Sequence, residues 1–157
     1  MNKNIFKISL KNIAIILLIA IFFIIDRYLK SVAINNRDNS PVEIFGNLFT
    51  FTFTPNYYIA FSLPLSGVIL TALIGLIILA LTIFLGYLVK ERQSKLLAAG
   101  LFLILLGAIS NFIDRLFFGY VVDYLYLRYF TVFNLADMYI SIGALISLIS
   151  LKKDHKI

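Results

Sequence analysis

Four aspartates, Asp26, Asp114, Asp123 and Asp137, lie within or against long apolar runs of this 157-residue chain. A charge at the centre of a membrane-spanning helix costs at least ~2.5–3.5 kcal/mol, so each such acid is a functional candidate. Other chemistries are closed off by composition. Cysteine is absent, which removes thiol nucleophiles, disulfides and thiolate metal sites, and a single His155 leaves no histidine triad or zinc site. Hydroxyls, amides, arginine and carboxylates remain. Two carboxylates sharing a site cannot readily both ionise, so one keeps a proton. The ionised member can take a proton from water, while the protonated one polarises a carbonyl and later protonates the leaving amine. That is aspartic proteolysis, and it requires neither a metal nor a cofactor.

A structural role competes with this chemistry. Asp26 and Lys30 are spaced i, i+4, and Asn111, Asp114 and Arg115 are spaced i, i+3, i+4, so each set lines one helical stripe. Asp26 and Asp114 therefore have basic neighbours (Arg27, Lys30, Arg115) that can satisfy them as buried ion pairs holding helices together. Asp123 and Asp137 have no basic residue within four positions, which makes them the better catalytic candidates. Asn134 shares a helical face with Asp137 at i, i+3.

The elements that must position these residues follow from hydrophobicity. Of the residues, 61% are hydrophobic and 14% charged, against roughly 45–50% and about 25% in an ordinary soluble domain. A short chain cannot bury that much apolar surface in its own core. This excludes a soluble enzyme, a disordered protein and a nucleic-acid-binding module despite the net charge of +6. Apolar runs at 12–34, 67–89, 96–118 and 133–151 each approach the ~20 residues that cross a bilayer as a helix. The first run lacks a small-x-small cleavage site, so an uncleaved anchor is expected. Lys3, Lys7, Lys11, Lys90, Arg92, Lys95, Lys152, Lys153 and Lys156 fall on one side, against Arg37 and Arg128 on the other. Both termini are thus expected to be cytoplasmic, with loops 35–66 and 119–132 outside. In loop 35–66, Phe49, Phe51 and Phe53 alternate with Thr50, Thr52 and Thr54 as in a strand, and Pro41, Val42, Ile44 and Gly46 suggest its hairpin partner and turn. The expected architecture is one all-α integral membrane domain over 1–157, with four transmembrane helices and a small antiparallel β-sheet in the loop between the first two. By the ~1.5 Å helical rise, Asp26, Asp114 and Asp137 fall ~21, ~27 and ~21 Å from the inner end of their runs, in the outer third of the bilayer beside Asp123.

Several blocks, taken in order, resemble the lipoprotein signal peptidase (signal peptidase II) family. They are Asp26-Arg-Tyr-Leu-Lys30, Asn56-Tyr-Tyr-Ile-Ala-Phe61, Asn111-Phe-Ile-Asp-Arg115, Gly119-Tyr-Val-Val-Asp-Tyr124 and Phe133-Asn-Leu-Ala-Asp137. The resemblance runs along essentially the whole chain. It implies an aspartic endopeptidase of the bacterial cytoplasmic (inner) membrane that cleaves prolipoproteins just before a diacylglyceryl-modified cysteine. It also implies Asp123 and Asp137 as the catalytic pair, and Asn56, Asn111, Arg115 and Asn134 around substrate and the inhibitor globomycin. Asp26, Lys30 and Asp114 are implied as structural support. Expected partners are the prolipoprotein and membrane lipid, with no metal, cofactor or nucleic acid. A monomer is expected, since one four-helix chain can hold the site. The chain departs from the family pattern at Tyr58 and Ser110, where glycines are usual, at Arg27 in place of glutamine, and in the short 14-residue step from Asp123 to Asp137. Two other classes also use intramembrane acids. A proton- or ion-coupled transporter is disfavoured because the acids cluster at one face without forming a path across. A non-catalytic scaffold would use the polar stripes only to bundle helices.

Overall fold

The computed structural model describes residues 10–58 and 66–154. Lys3, Lys7, His155, Lys156 and residues 59–61 of the outer-loop block lie outside the described residues. The elements in order are helix α1 (Leu10–Asn35), strands β1 (Val42–Phe45) and β2 (Phe49–Asn56), helices α2 (Gly67–Lys90) and α3 (Lys95–Phe118), strands β3 (Val121–Leu127) and β4 (Thr131–Phe133), and helix α4 (Leu135–Asp154). Among the described residues, α2, α3 and the Leu135–Lys153 part of α4 are long and apolar enough to cross a membrane. Helix α1 is not in that set. It is 26 residues long and carries Asp26, Arg27 and Lys30 toward its C-terminal end.

Lipid explains why the helices form as they do. Helix α2 buries only Leu70 and Leu88, while Val68, Ile69 and Ile83 are 85%, 70% and 66% exposed. Such an apolar belt is a liability in water and the ordinary surface of a helix in hydrocarbon, where only internally hydrogen-bonded backbone is tolerated. The tightest packing is between α3 and α4, and glycine makes it possible. A Cβ on Gly107 would overlap the Ala136 carbonyl, and Gly100 and Gly143 each lie against the other's carbonyl oxygen. Small residues of this kind let two helix backbones approach where no hydrophobic effect drives them together. Helix α3 stops at Gly119, whose φ of 79° is the left-handed cap that glycine adopts without strain.

The sheet is larger than the sequence suggests. Its four strands run in the order β1-β2-β3-β4, each pair antiparallel. The expected β1–β2 hairpin is present, turning at Gly46 (φ 49°). The expectation of a sheet confined to the loop between the first two helices is corrected: the connection from α3 to α4 adds a second hairpin, β3–β4. Its Val121–Leu127 segment is rich in β-branched and aromatic residues, but its turn at Arg128, Tyr129 and Phe130 lacks the glycine or asparagine that usually marks one. Tyr129 instead takes a φ of 72° without glycine's freedom. The sheet packs through Val122 and Tyr124 on Ala33 of α1, flanked by Leu29, Phe51, Phe53 and Leu135.

One irregularity matters for the site. In the β2–β3 ladder, Phe51 pairs with Leu125 but Thr54 with Asp123, so two residues of β2 span the place of one on β3. A one-residue shift moves every later side chain to the opposite face. Without this bulge, Asn56 would point away from Asp123; with it, both lie on one face.

Candidate active site

Strand β3 delivers Asp123, the first turn of α4 delivers Asp137, and the junction between β4 and α4 delivers Asn134. Asn134 is the residue that ties the two acids together. Its Nδ2 donates to Asp123 Oδ1 at 2.7 Å and to the Val122 carbonyl at 3.3 Å. Its Oδ1 accepts from the Asp137 backbone N–H at 2.9 Å, while its own N–H donates to Asp137 Oδ2 at 3.2 Å. This reciprocal pair is a capping box, with asparagine before the helix and aspartate three residues on. The same fragment that starts α4 therefore fixes the Asp137 carboxylate, at the helix end whose dipole favours negative charge.

The remaining carboxylate oxygens are held by two more asparagines. Asn56 Nδ2 donates to Asp123 Oδ2 at 2.9 Å, and Asn111 Nδ2 to Asp137 Oδ1 at 2.8 Å. Every oxygen of the two acids thus accepts a hydrogen bond from an N–H. Asp123 is 2% exposed and Asn134 fully buried. Burial first, and then the neighbouring Asp137 carboxylate, push the Asp123 carboxyl up to about 7, against the opposing donation from Asn56 and Asn134. Among the described residues neither acid forms a salt bridge.

Asp26 and Asp114 have a different environment. Asp114 forms an ion pair with Arg27, pairs with Lys30 at 2.7 Å and accepts from the Val122 N–H at 3.2 Å. Asp26 lies 3.3 Å from Lys30 Nζ and accepts from Ser110 Oγ at 2.6 Å, Tyr124 Oη at 2.9 Å and the Ala136 N–H at 3.3 Å. Ionised groups this deeply buried cost several kcal/mol each unless fully paired; here each has partners from two or more elements. Among the described residues Arg115 forms no salt bridge with an acid. Its guanidinium donates to the Tyr58 carbonyl at 2.8 Å and the Tyr57 carbonyl at 3.4 Å, where the chain leaves β2.

The structure therefore gathers all the residues singled out from sequence. Asn56, Asn111 and Asn134 sit on the Asp123–Asp137 pair, Arg115 sits beside them on the loop backbone, and Asp26, Lys30, Asp114 and Arg27 form an adjoining ionic cluster. The Tyr58 N–H donates to Asn56 Oδ1 at 3.2 Å, so tyrosine at this position still supports the asparagine through its backbone. Ser110 in place of glycine adds a hydroxyl to Asp26. Two contributors were not singled out. Tyr124 Oη both donates to Asp26 and accepts from the Leu135 N–H at 3.1 Å, joining the ionic cluster to the start of α4. Burial and the Asp26 carboxylate raise its pKa, so the phenol stays protonated as that bond requires. Gly107 sets the approach of α3 to the turn carrying Asp137; its signal was only that of a small residue within an apolar run. A cavity of about 220 Å³ opens elsewhere, between the end of α1 and Phe51, Thr52 and Phe53, and none of the carboxylate-site residues line it.

The model of the family described as Signal peptidase (SPase) II matches residues 18–153. The chain is 32% identical over 150 residues to a lipoprotein signal peptidase of Streptococcus thermophilus (strain CNRZ 1066), covering 93% of this chain and 97% of that relative. It is 40% identical over 136 residues to one from Moorella thermoacetica, covering 83% and 87%. A bacterial membrane enzyme solved by the in meso method at 2.3 Å superposes with a TM-score of 0.76 at 28% identity, covering 89% of this chain and 88% of that one.

Proposed function

The chain belongs to the signal peptidase II family, a membrane protease family that removes signal peptides from prolipoproteins, and on that premise we propose that it is an aspartic endopeptidase. It cleaves diacylglyceryl-modified prolipoproteins just before the lipidated cysteine. One observation carries the catalytic part of this reading: Asp123, buried, and Asp137, half-buried, are joined through Asn134 and held by amide donors, with no cation paired to either among the described residues. A carboxyl kept protonated by burial and by a second carboxylate near it, with no counter-charge paired to either, is the arrangement aspartic proteolysis uses.

In the reaction we propose, the pair holds one water and one proton. Asp123 carries the proton, consistent with its carboxyl being pushed up to about 7. Asp137, held as an acceptor by the capping box and Asn111, takes a proton from the water. The water oxygen bonds to the scissile carbonyl carbon while Asp123 protonates the carbonyl oxygen. On collapse the C–N bond breaks, Asp137 passes its proton to the amine, and the hydroxyl proton returns to Asp123. The asparagine donors are preorganised in a water-poor site, where such groups are worth most. Arg115 holds the loop after β2 over the pair, and the Phe49–Asn56 strand cradles the chain beyond the cysteine.

Helix α1 acts as a fourth span, its outer charges neutralised within the bundle. Both termini are cytoplasmic and the active site opens to the outer face, with the diacylglycerol remaining among outer-leaflet chains. The inhibitor globomycin competes for this cleft, and one copy of the chain suffices. Paired substrates test the substrate assignment. The purified protein should cut a diacylglyceryl prolipoprotein and leave the same precursor without lipid intact; equal cleavage of both would contradict the lipid requirement.

A further inference from the structure

Lys30 is separated from the carboxylate pair by one amide, that of Asn111. Its ammonium is 1% exposed and has four near oxygens: Asp114 Oδ2 at 2.7 Å, Asn111 Oδ1 at 2.7 Å, Asp26 Oδ2 at 3.3 Å and Ser110 Oγ at 3.5 Å. An ammonium offers donors only. The Asn111 atom facing it must therefore be the carbonyl, which turns Nδ2 toward Asp137 Oδ1 at 2.8 Å. An amide released from Lys30 could rotate and set its carbonyl against Asp137. That face repels a carboxylate and suits only the protonated acid.

The other two asparagines are fixed in the same sense, each by a donor at its carbonyl end. Asn56 is fixed by the Tyr58 N–H and Asn134 by the Asp137 N–H, both backbone groups close in sequence. Asn111 alone takes its fixing donor from a side chain on a different helix, 81 residues away in sequence. That side chain is itself held by two acids. Asp114 is bound to Arg27 and the Val122 N–H, and Asp26 to Ser110, Tyr124 and the Ala136 N–H, so the two acids hold the ammonium in place.

We propose that Lys30 is a positioning residue for the reaction: it acts through Asn111 on Asp137, fixing the Asn111 amide so that Asp137 Oδ1 always meets a donor. The proposal rests on the reading of Asp123 and Asp137 as the catalytic pair. It assigns the ionic cluster a task beyond neutralising buried charge. If Lys30 only balanced Asp26 and Asp114, its loss would weaken the fold and its effect on turnover would be independent of Asn111.

A double-mutant cycle with Lys30→Met and Asn111→Leu separates the two, read as kcat and KM on a diacylglyceryl prolipoprotein, with thermal unfolding measured on each variant. Lys30→Met should lower kcat by about 10–100-fold with KM changed less than about twofold. In the Asn111→Leu background, the same substitution should cost less than about threefold more. Losses that multiply would overturn the proposal. Should Lys30→Met fail to fold, Lys30→Arg takes its place. Arginine keeps the charge but presents a planar fork in place of a compact ammonium, and the same criterion decides. Asp123→Asn and Asp137→Asn run alongside: turnover by either sinks the catalytic-pair reading itself, whereas inactive dyad variants with multiplying losses in the cycle overturn only the role of Lys30.

Discussion

At the scale of single residues, what separates the four aspartates is the company each keeps. Asp26 and Asp114 are matched by Lys30 and Arg27, while Asp123 and Asp137 are matched only by amides. A proton on Asp123 then governs the pH dependence. Its carboxyl is pushed up to about 7, so raising the pH above that value removes the proton the reaction needs, and kcat/KM should fall on the alkaline side. The Asn56 hydrogen bond favours the ionised form and lowers this value; Asn56→Ala should therefore move the alkaline limb to higher pH while lowering the maximum rate. A pH–rate profile of both proteins checks the sign, and a limb moving to lower pH in the variant would contradict it. Much of this site was legible in the sequence, because acids in apolar runs are conspicuous and spacing separated the two with basic neighbours from the two without. What spacing could not show is that Asn111 and Asn134 would engage the acids directly. Those bonds depend on how far α3 slides along α4 and on a capping geometry that exists only once the helix has begun.

At the scale of elements, two backbone features place the acids. The first is the close approach of α3 and α4 at Gly107, where any Cβ would overlap the Ala136 carbonyl one residue before Asp137. Gly107→Ala should reduce activity and lower stability by about 1–3 kcal/mol, the usual cost of overpacking. Gly86→Ala, on open surface of α2, should change neither. Turnover and thermal unfolding of the two variants make the comparison, and equal behaviour would remove Gly107 from the account. The second is the β2 bulge, which brings Asn56 onto the face of Asp123. Inserting one alanine between Thr54 and Pro55 should shift the later pairing by one residue, turn Asn56 to the opposite face and cost about 10²-fold in kcat, as loss of one preorganised donor does. The helices were legible because an unbroken apolar run leaves few alternatives, and their bounds shift by only a few residues from 12–34, 67–89, 96–118 and 133–151. The β3–β4 hairpin was not. Its turn at Arg128, Tyr129 and Phe130 lacks the usual turn residues, and alternation in Val121–Leu127 is masked because both faces carry apolar side chains.

At the scale of the whole molecule, the helices supply an apolar belt suited to lipid, and the sheet carries Asp123 and Asn56 to the start of α4, where Asp137 lies. The charge asymmetry of the loops sets an orientation that labelling can read, because the chain has no cysteine of its own. A cysteine at exposed Asn47, in the β1–β2 turn, should react with an impermeant maleimide added to intact cells. One at exposed Gln93, between α2 and α3, should react only after permeabilisation. The reverse pattern would place the active site on the wrong side of the membrane. The central claim is that Asp123 and Asp137 together activate water on a lipidated precursor. Its most direct measurement is single-turnover cleavage of a diacylglyceryl prolipoprotein by folded Asp123→Asn and Asp137→Asn variants. The account predicts a loss of about 10³-fold or more in each, since neither acid can act without the other; near-normal cleavage by either variant would contradict it.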